Sequence, residues 1–522
     1  MILFKSIIKG DYLQRTRSYA FLVTLAISLY LAYTFLPAAD ANYSTVKIGN
    51  YVGENNATWI GYVTAIMTSI FLSLIGFYLV NNSIKKDIET EVGMIIATTQ
   101  ISNFKYLLSK MLSNFLVLLT ITGIVFAMGI ILFFVRSNGA DFNIVQFVLP
   151  YLLTTLPAIF FIAAFAIVSE VFLGRWLALH YMSFFFLFGI ITANILPGGG
   201  STLKMILDPF GVKVVTMGME SFVQQHFDAK ATVSSIGFNF SAKKELKTFV
   251  FNGMPWPALY IVSRLIWVAL SVALVFIASL FFNRFDAKAV IKVKKKKKNL
   301  TENLPAGNLL QDIKIAALPA ISTDYGILPF IKTELLMLFR KGPKWFWVLN
   351  IGGMIALLFT TLNIAHQFVL PALWFLQVGR LSDLTTKEKT NRIHYFTYAS
   401  YKPIERLLPS QIIAGIILMA GLALPLMVRY LAGGEFMPVI YLLAGAIFIV
   451  LLAAALGILT GGKKLFEILF FAITYTNLNS IPFADYFGAL NNSSAYLSLM
   501  LLMISGLIIT GFTIRKYEIR HL

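Results

Sequence analysis

Cysteine is absent from the sequence, which excludes disulfide bonds, thiol nucleophiles and metal sites with cysteine ligands. Charged residues make up only 13% of the 522 positions. The histidines are few and scattered, with no H-E-x-x-H motif and no pair at helical spacing. They are His180, His226, His366, His394 and His521. Because this pattern favours neither a metal site nor acid–base catalysis, we expect no enzymatic activity and no cofactor bound by the chain.

Hydrophobic residues, in contrast, make up 58% of the chain, and the mean hydropathy is +0.77. Long apolar runs can cross a bilayer core of about 30 Å as helices, because lipid offers no other partner to backbone polar groups. We therefore predict an all-α integral membrane protein with about twelve transmembrane helices. The predicted spans lie near residues 19–37, 59–81, 112–134, 147–170, 177–196, 258–282, 344–363, 365–379, 410–430, 437–460, 465–481 and 494–513.

Lysine and arginine are concentrated in the segments before the first predicted span and after the second and fourth. They include Lys5, Lys9, Lys85, Lys86 and Arg175. Short loops rich in basic residues stay in the cytoplasm, so all of these fall on one side if the N-terminus is cytoplasmic. We predict a multi-pass protein of the bacterial cytoplasmic (inner) membrane with both termini inside and an extracytoplasmic loop at 197–257.

The order of the spans indicates an internal repeat. Six spans, a linker and six more spans return each half to the same side, so the halves are parallel copies and not inverted ones. Short similar sequences occur in the same order in both halves. For example, "ISNFKYLLSKML" aligns with "YKPIERLLPSQII", so that Leu107 and Leu108 correspond to Leu407 and Leu408. We predict a first half at 1–286, a basic cytoplasmic linker at 287–324 and a second half at 325–522.

The linker contains the most basic run of the chain, which contributes to the net charge of +19. Its members are Lys294, Lys295, Lys296, Lys297 and Lys298. Beside a membrane span, such a run can attract anionic lipid with about 1 kcal/mol per basic residue. A solvated linker that enforces topology explains it equally well. Nucleic acid is not an expected partner, because no aromatic platform accompanies the charge.

The stretch "IETEVGMIIATTQISNFKYLLSKML" lies between the second and third spans and is amphipathic. Val92, Ile95, Ile96 and Thr99 follow the spacing of one helix face, which leaves Met94 on another. Ser102 is a predicted N-cap for the helix that becomes the third span. The pattern indicates a short cytoplasmic helix followed by a helix that enters the membrane.

A basic amphipathic helix, two spans, a cytoplasmic helix reading "VGMIIATTQISNFKYLLSK" and four further spans with "FLGRWLALHY" between the fourth and fifth form a recognisable order. This order resembles the permease subunits of type-2 ABC (ABC-2) exporters, over nearly the whole chain and twice over. The resemblance implies that the chain exports a substrate with energy from a separate ATPase subunit, present as two copies, which holds the ATP and Mg²⁺.

The resemblance also implies that the helix after each second span is a coupling helix that docks into the ATPase. In the first half these residues are Glu91, Val92, Gly93, Met94, Ile95, Ile96, Ala97, Thr98 and Thr99. In the second half they are Tyr398, Ser400, Tyr401, Lys402 and Ile404. The second half departs from the pattern, because it lacks the glycine and contains Pro403 and Pro409.

Charged residues in the predicted spans lie near span ends, where their side chains can reach the membrane interface. Besides Arg429, they are Glu170, Arg264 and Glu467, which we take as candidates for a substrate pathway. The alternative function is an ion- or proton-coupled carrier, and a third is an intramembrane enzyme. A carrier needs polar coupling sites deep in the spans and an enzyme needs clustered catalytic side chains, and the sequence shows neither pattern.

One stretch, "GILTGGKKL", has the glycine and lysine spacing of a phosphate-binding loop. Lys464, however, stands where a serine or threonine hydroxyl should reach Mg²⁺, and the stretch ends an apolar span instead of joining a strand to a helix. We interpret it as a glycine turn with two cytoplasmic lysine anchors, Lys463 and Lys464.

Overall fold

The structure, a computed structural model, describes residues 2–38, 41, 43–137, 139, 141–174, 177–195, 201–239, 246–282, 326–342, 344–478, 485–490 and 494–521. The predicted linker, with its run from Lys294 to Lys298, lies outside the described residues. Helices dominate both the N-terminal half, which precedes the linker, and the C-terminal half, which follows it.

The N-terminal half begins with an amphipathic helix that lies against the third predicted span. Its helices are α1 (Ile2–Thr16), α2 (Tyr19–Thr34), α3 (Ala57–Val80), α4 (Ser83–Glu89), α5 (Val92–Ala97), α6 (Asn103–Arg136), α7 (Ile144–Pro150), α8 (Leu156–Leu173), α9 (Leu177–Ile195), α10 (Thr202–Leu207), α11 (Val212–His226) and α12 (Ala258–Phe281). The Ser102 side chain accepts the first-turn N–H of Lys105, which confirms the predicted N-cap of α6.

The C-terminal half also begins with an amphipathic helix. Its helices are α13 (Leu328–Arg340), α14 (Phe346–Phe359), α15 (Leu362–Ile364), α16 (Leu370–Phe375), α17 (Val378–Leu381), α18 (Lys387–Thr390), α19 (His394–Tyr398), α20 (Pro403–Ala432), α21 (Phe436–Thr460), α22 (Lys464–Leu478) and α23 (Ser494–Arg520). Two short helices, α18 and α19, precede the long α20, in the same order in which α4 and α5 precede α6.

Within the described residues, seven helical segments are long and apolar enough to cross a membrane. They are Ala57–Glu89, Asn103–Arg136, Ile144–Leu173, Ala258–Phe281, Pro403–Ala432, Phe436–Thr460 and Ala495–Arg520. Three shorter apolar helices, at Phe21–Thr34, Leu179–Ala193 and Phe346–Phe359, fall at other predicted spans. The membrane-embedded, helical character of the chain is therefore confirmed, whereas the count of twelve spans stays a prediction.

Two of the predicted spans contain a π-helical turn, and a proline follows each turn. The turns cover Tyr151–Thr155 and Ala365–Val369, just before Pro157 and Pro371. A proline cannot bond to the carbonyl four residues earlier and clashes with it, so the helix widens locally. In the first turn the carbonyl of Leu153, four residues before the proline, accepts the Tyr260 hydroxyl at 3.0 Å instead.

A four-stranded sheet, which the sequence patterns did not predict, joins two separate loops. The strands are β1 (Ser44–Ile48), β2 (Tyr51–Gly53), β3 (Val233–Asn239) and β4 (Lys247–Phe249), in the order β3-β1-β2-β4. Strand β1 pairs antiparallel with β2 and β3, and β2 pairs parallel with β4. The predicted loop 197–257 thus contains α10, α11, β3 and β4, and its strands pair with the short segment that follows α2.

One hydrophobic core runs through both halves. Helices pack closely where small residues allow it, as is usual in membranes. Gly61 of α3 is an example, because a Cβ added there would lie 2.4 Å from the carbonyl oxygen of Gln146. Across the two halves, α3 and α9 contact α22, α16 and α17. Beside this contact, Lys464 lies 3.4 Å from the carbonyl of Tyr78 and Lys463 lies 2.6 Å from Asp383, so the loops that contain the predicted coupling helices lie at one end of the molecule.

Candidate functional site

The segment after α3 contains several exposed apolar side chains. Val92, Met94 and Ile95 of α5 are exposed, with Met94 at 61% and Ile95 at 69%, and Ile88 at the end of α4 is exposed as well. We call these four residues the N-terminal apolar surface. Glu91 adopts a left-handed backbone conformation with φ 62°, which separates α5 from α4 and turns its side chains outward.

The exposure of the side chains varies along the predicted helix face of α5. The spacing places Val92, Ile95, Ile96 and Thr99 on one helix face. In the structure only Ile96 of that set is buried, together with Gly93, while Thr99 is half-buried. Among the other predicted coupling residues, Glu91 and Thr98 are exposed and Ala97 is half-buried.

Buried charges attach the segment before this surface to the rest of the N-terminal half. The Lys110 ammonium of α6 lies 2.7 Å from Asp11 of α1 and 2.7 Å from Asp87 of α4. Tyr106 donates its hydroxyl to Asp87 at 2.7 Å. Because Lys110 is buried with both partners in place, the three helices are held as one unit.

Glu170, a candidate pathway residue, lies beside the same segment. Its carboxylate accepts the backbone N–H of Ser83 at 3.0 Å and that of Lys85 at 2.8 Å. These are first-turn donors of α4, which have no partner inside the helix, and a carboxylate there also interacts favourably with the helix dipole. The structure therefore places Glu170 where it fixes the start of α4.

The C-terminal half has a second exposed apolar surface. Ile393, Tyr395 and Phe396, at the start of α19, are exposed, with Phe396 at 83% and Tyr395 at 63%. With Tyr401, also exposed, they form what we call the C-terminal aromatic surface. Ser400 and Lys402 are exposed and Ile404 is half-buried.

Tyr398 was predicted to dock with a partner, but its side chain is buried under the guanidinium of Arg515, 4.9 Å from the ring centroid. Tyr395 and Phe396 were missed, because the predicted helix was aligned on the later leucine pair. The aromatic sequence "HYFTY", which precedes Pro403, is the pattern that could have indicated these two residues.

Ion pairs also fix the C-terminal segment. Lys387 of α18 pairs with Glu334 of α13, and Gln411 of α20 donates to the buried Glu388 at 2.6 Å. Burial raises the pKa of Glu388. The arrangement resembles that of the N-terminal half, because in each half polar contacts connect the short segment with the following long helix and with the preceding amphipathic helix, the latter through Lys110 in the N-terminal half.

Asp383, just after α17, lies between two lysines at 2.6 Å each, Lys341 and Lys463. Burial lowers the pKa of Lys341 to about 8, against the opposing effect of Asp383. Burial would raise the pKa of Asp383, but the two lysines more than offset this and lower it. Lys463 is therefore occupied by an ion pair inside the protein.

The glycines of the phosphate-loop-like stretch have structural reasons. A Cβ at Gly457 would lie 2.7 Å from the Thr385 hydroxyl, and Gly461 ends α21 with φ 60°. Lys464 lies 3.8 Å from Glu467. Among the described residues, no group of three or more acidic, histidine or cysteine side chains could hold a metal ion.

Glu467, another candidate pathway residue, bonds across the two halves. It accepts the Tyr181 hydroxyl at 2.7 Å, and the same hydroxyl accepts the Asn82 amide at 2.9 Å. Asn82 directly precedes α4. Asn82, Tyr181 and Glu467 are buried or half-buried, and together they connect the start of α4 to the contact between the two halves.

Two arginines lie at the opposite end, near the predicted extracytoplasmic ends of α12 and α20. Arg264, the third candidate pathway residue, donates to the carbonyl of Asp208 at 2.7 Å and stacks on Tyr260. Arg429 donates to the carbonyls of Leu357 and Thr360 at 2.6 and 2.8 Å. Both guanidiniums satisfy backbone carbonyls at helix or loop ends, where a lost hydrogen bond would be costly.

The chain matches no protein-family model, no curated protein and no solved structure with which it was compared.

Proposed function

We propose that this chain is the membrane permease of an ABC exporter of the type-2 class, driven by a separate ATPase subunit. The observation that carries the proposal is the N-terminal apolar surface. Val92, Met94 and Ile95 are exposed on a short helix in which only Gly93 and Ile96 are buried, in a loop region that is rich in basic residues. An amphipathic helix that docks into a partner's groove uses apolar anchors of this kind.

The second surface supports the same proposal. Each half begins with an amphipathic helix and an apolar helix, and in each half two short helices directly precede a long helix. Each pair of short helices ends in exposed apolar side chains and is attached by buried polar contacts. Two surfaces at one end of the molecule suit two copies of an ATPase, which is the arrangement that the sequence resemblance implies.

The buried contacts supply a physical route for coupling. Closure of the ATPase pair would push α5 and, through Asp87 and Lys110, would move α1 and α6 with it. Asn82 and Tyr181 would pass the movement to Glu467 in the other half. The two halves would then rock against each other, which is alternating access between inward- and outward-open states. Export, rather than import, follows from the family resemblance.

The test is a double substitution, Met94→Asp with Ile95→Asp, in a tagged chain purified together with its ATPase. A charge forced into an apolar groove costs about 3 kcal/mol, so binding should weaken roughly 100-fold. We expect normal insertion into the membrane, loss of the ATPase from the purified complex and loss of transport. Quantitative mass spectrometry of the purified complex measures the ratio of ATPase to permease.

Tyr517→Asp is the matched control, because Tyr517 is 64% exposed and lies near the C-terminus, outside both surfaces. It should leave the ratio unchanged. A double variant that retains its ATPase at the wild-type ratio and transports normally would disprove the docking role of α5. A chain that transports without any ATPase would instead support the ion-coupled carrier.

A further inference from the structure

The contact between the two halves is built from aromatic rings. Tyr78 stacks on Phe471 with ring centroids 3.5 Å apart, and Phe185 lies 5.6 Å from Phe375 and 5.4 Å from Phe471. Further along, Phe188 lies 5.2 Å from Tyr475. We call these six residues the aromatic stack. All of the contacts just given join α3 or α9 of one half to α16 or α22 of the other.

Apart from His180, beside Tyr181 in α9, the parts of these helices that form the stack contain no acidic or basic residue. Helices α3, α9 and α16 contain no Asp, Glu, Lys or Arg, and α22 contains none after Glu467. The stretch of α22 from Glu467 to Tyr475 is about 12 Å long along the helix axis. When the halves separate, the surfaces that they expose along this path are apolar and aromatic.

Polar contacts lie at both ends of the stack, and the charged side chains lie at only one of them. Tyr181 bonds to Glu467, and Lys464 lies 3.4 Å from the carbonyl of Tyr78. At the other end, the Tyr475 hydroxyl is 3.4 Å from that of Thr192. Phe471 and Phe188 are fully buried between these ends, while Phe185 and Tyr475 are half-buried at the edge of the stack. The edge rings are therefore the first that a molecule entering between the halves would meet.

We propose that the transported substrate is an uncharged amphiphile with an alkyl or aromatic body, which replaces the ring contacts of the aromatic stack as the halves separate. This inference rests on the proposed function and names its substrate class. Aromatic faces offer dispersion and stacking to such a body. A substrate with a formal charge would pass a path of about 12 Å with no charged partner, which a low-dielectric interior penalises heavily.

The probes are a diazirine-bearing alkyl phenyl ether that ends in a hydroxyl, and the sulfate ester of the same molecule. The full chain is reconstituted in phosphatidylcholine nanodiscs, illuminated with each probe and mapped by mass spectrometry. Labelling of Phe185 and Tyr475 is normalised to that of Leu265, an exposed residue on α12 that reports probe in the lipid. We expect the uncharged probe to label the stack at least about tenfold more than its sulfate ester.

Two variants test whether the probe binds at the aromatic stack. Tyr181→Phe removes the bond to Glu467 and keeps the ring, so the halves should separate more often and labelling should rise about threefold. Phe185→Ala should lower labelling of Tyr475 about fivefold, because a stacking partner is lost. Phe186→Ala is the matched control, since Phe186 is the next residue but is 55% exposed on the outer side of α9. It should change nothing.

Equal labelling of the stack by the sulfate ester would overturn the inference. Labelling confined to α12 in both the wild-type chain and Tyr181→Phe would overturn it too. Failure of the proposed function has a different signature, because these measurements need no ATPase. If the uncharged probe labels the stack but the chain binds no ATPase, the proposed ABC exporter function is refuted, whereas the inferred binding site for apolar molecules is retained.

Discussion

Lys110 shows how a single residue fixes the candidate docking segment. Its ammonium is buried inside the protein and contacts one carboxylate on α1 and another on α4. A buried lysine is tolerated only when its charge is compensated, and here two carboxylates and a neighbouring tyrosine hydroxyl surround the site. The position of α4, and with it the exposed side chains of α5, therefore depends on this cluster.

Lys110→Met should destabilise the chain strongly, because it leaves Asp11 and Asp87 close together without their cation. Removing one member of a buried ion cluster costs about 3–5 kcal/mol. Thermal unfolding in detergent measures the effect. Lys105→Met, an exposed position on the same helix, should change stability by less than about 0.5 kcal/mol. A melting temperature equal to that of the wild type would contradict the anchoring role.

At the scale of elements, the mixed sheet constrains the topology. Strands β1 and β2 follow α2, whereas β3 and β4 precede α12, and they pair in one sheet. A sheet cannot form across a bilayer, because lipid does not satisfy the backbone groups of open strands. The loops after the first and the fifth predicted spans must therefore lie on the same side, which requires an even number of crossings between them.

The absence of native cysteine makes this topology directly measurable. Gln225→Cys, exposed on α11 beside the sheet, should react with a membrane-impermeant maleimide in intact cells. Asn391→Cys, exposed between α18 and α19, should react only after the cells are lysed. The opposite pattern would place both apolar surfaces outside the cell, where no ATPase could reach them.

At the scale of the whole molecule, the two halves already contact each other within one chain. The aromatic stack and the bond between Tyr181 and Glu467 occupy the faces that separate halves would use to associate. In the proposed permease, a second copy of the chain would therefore not be needed to complete a pathway. Two apolar surfaces of different character, one aliphatic and one aromatic, remain exposed at one end.

We predict a functional particle of one permease chain and two ATPase subunits. Its mass should equal 58.3 kDa plus twice the mass of the ATPase, as measured by native mass spectrometry in detergent. The expectation follows from one docking surface in each half. Particles with two permease chains would show that the internal contact between the halves does not replace dimerisation.

Much of the architecture was predictable from the sequence, because hydrophobic runs report directly on the bilayer as solvent. The membrane-embedded, helical character and the cap at Ser102 followed from local patterns of this kind and are confirmed. The orientation of α5 did not follow, since spacing alone cannot tell a stripe that packs from one that protrudes. Val92 and Ile95 fit the periodicity equally well in either case.

Tertiary structure alone decided the contacts that join distant parts of the chain. Spacing could not reveal that Glu170 caps α4, that Tyr398 lies beneath Arg515, or that Tyr181 meets Glu467 across 286 positions. The sheet also escaped prediction, because its strands are short and separated by four predicted spans. The physical reason is common to all of these: local sequence determines which solvent a segment prefers, whereas the partner of a buried polar group depends on how the whole chain packs.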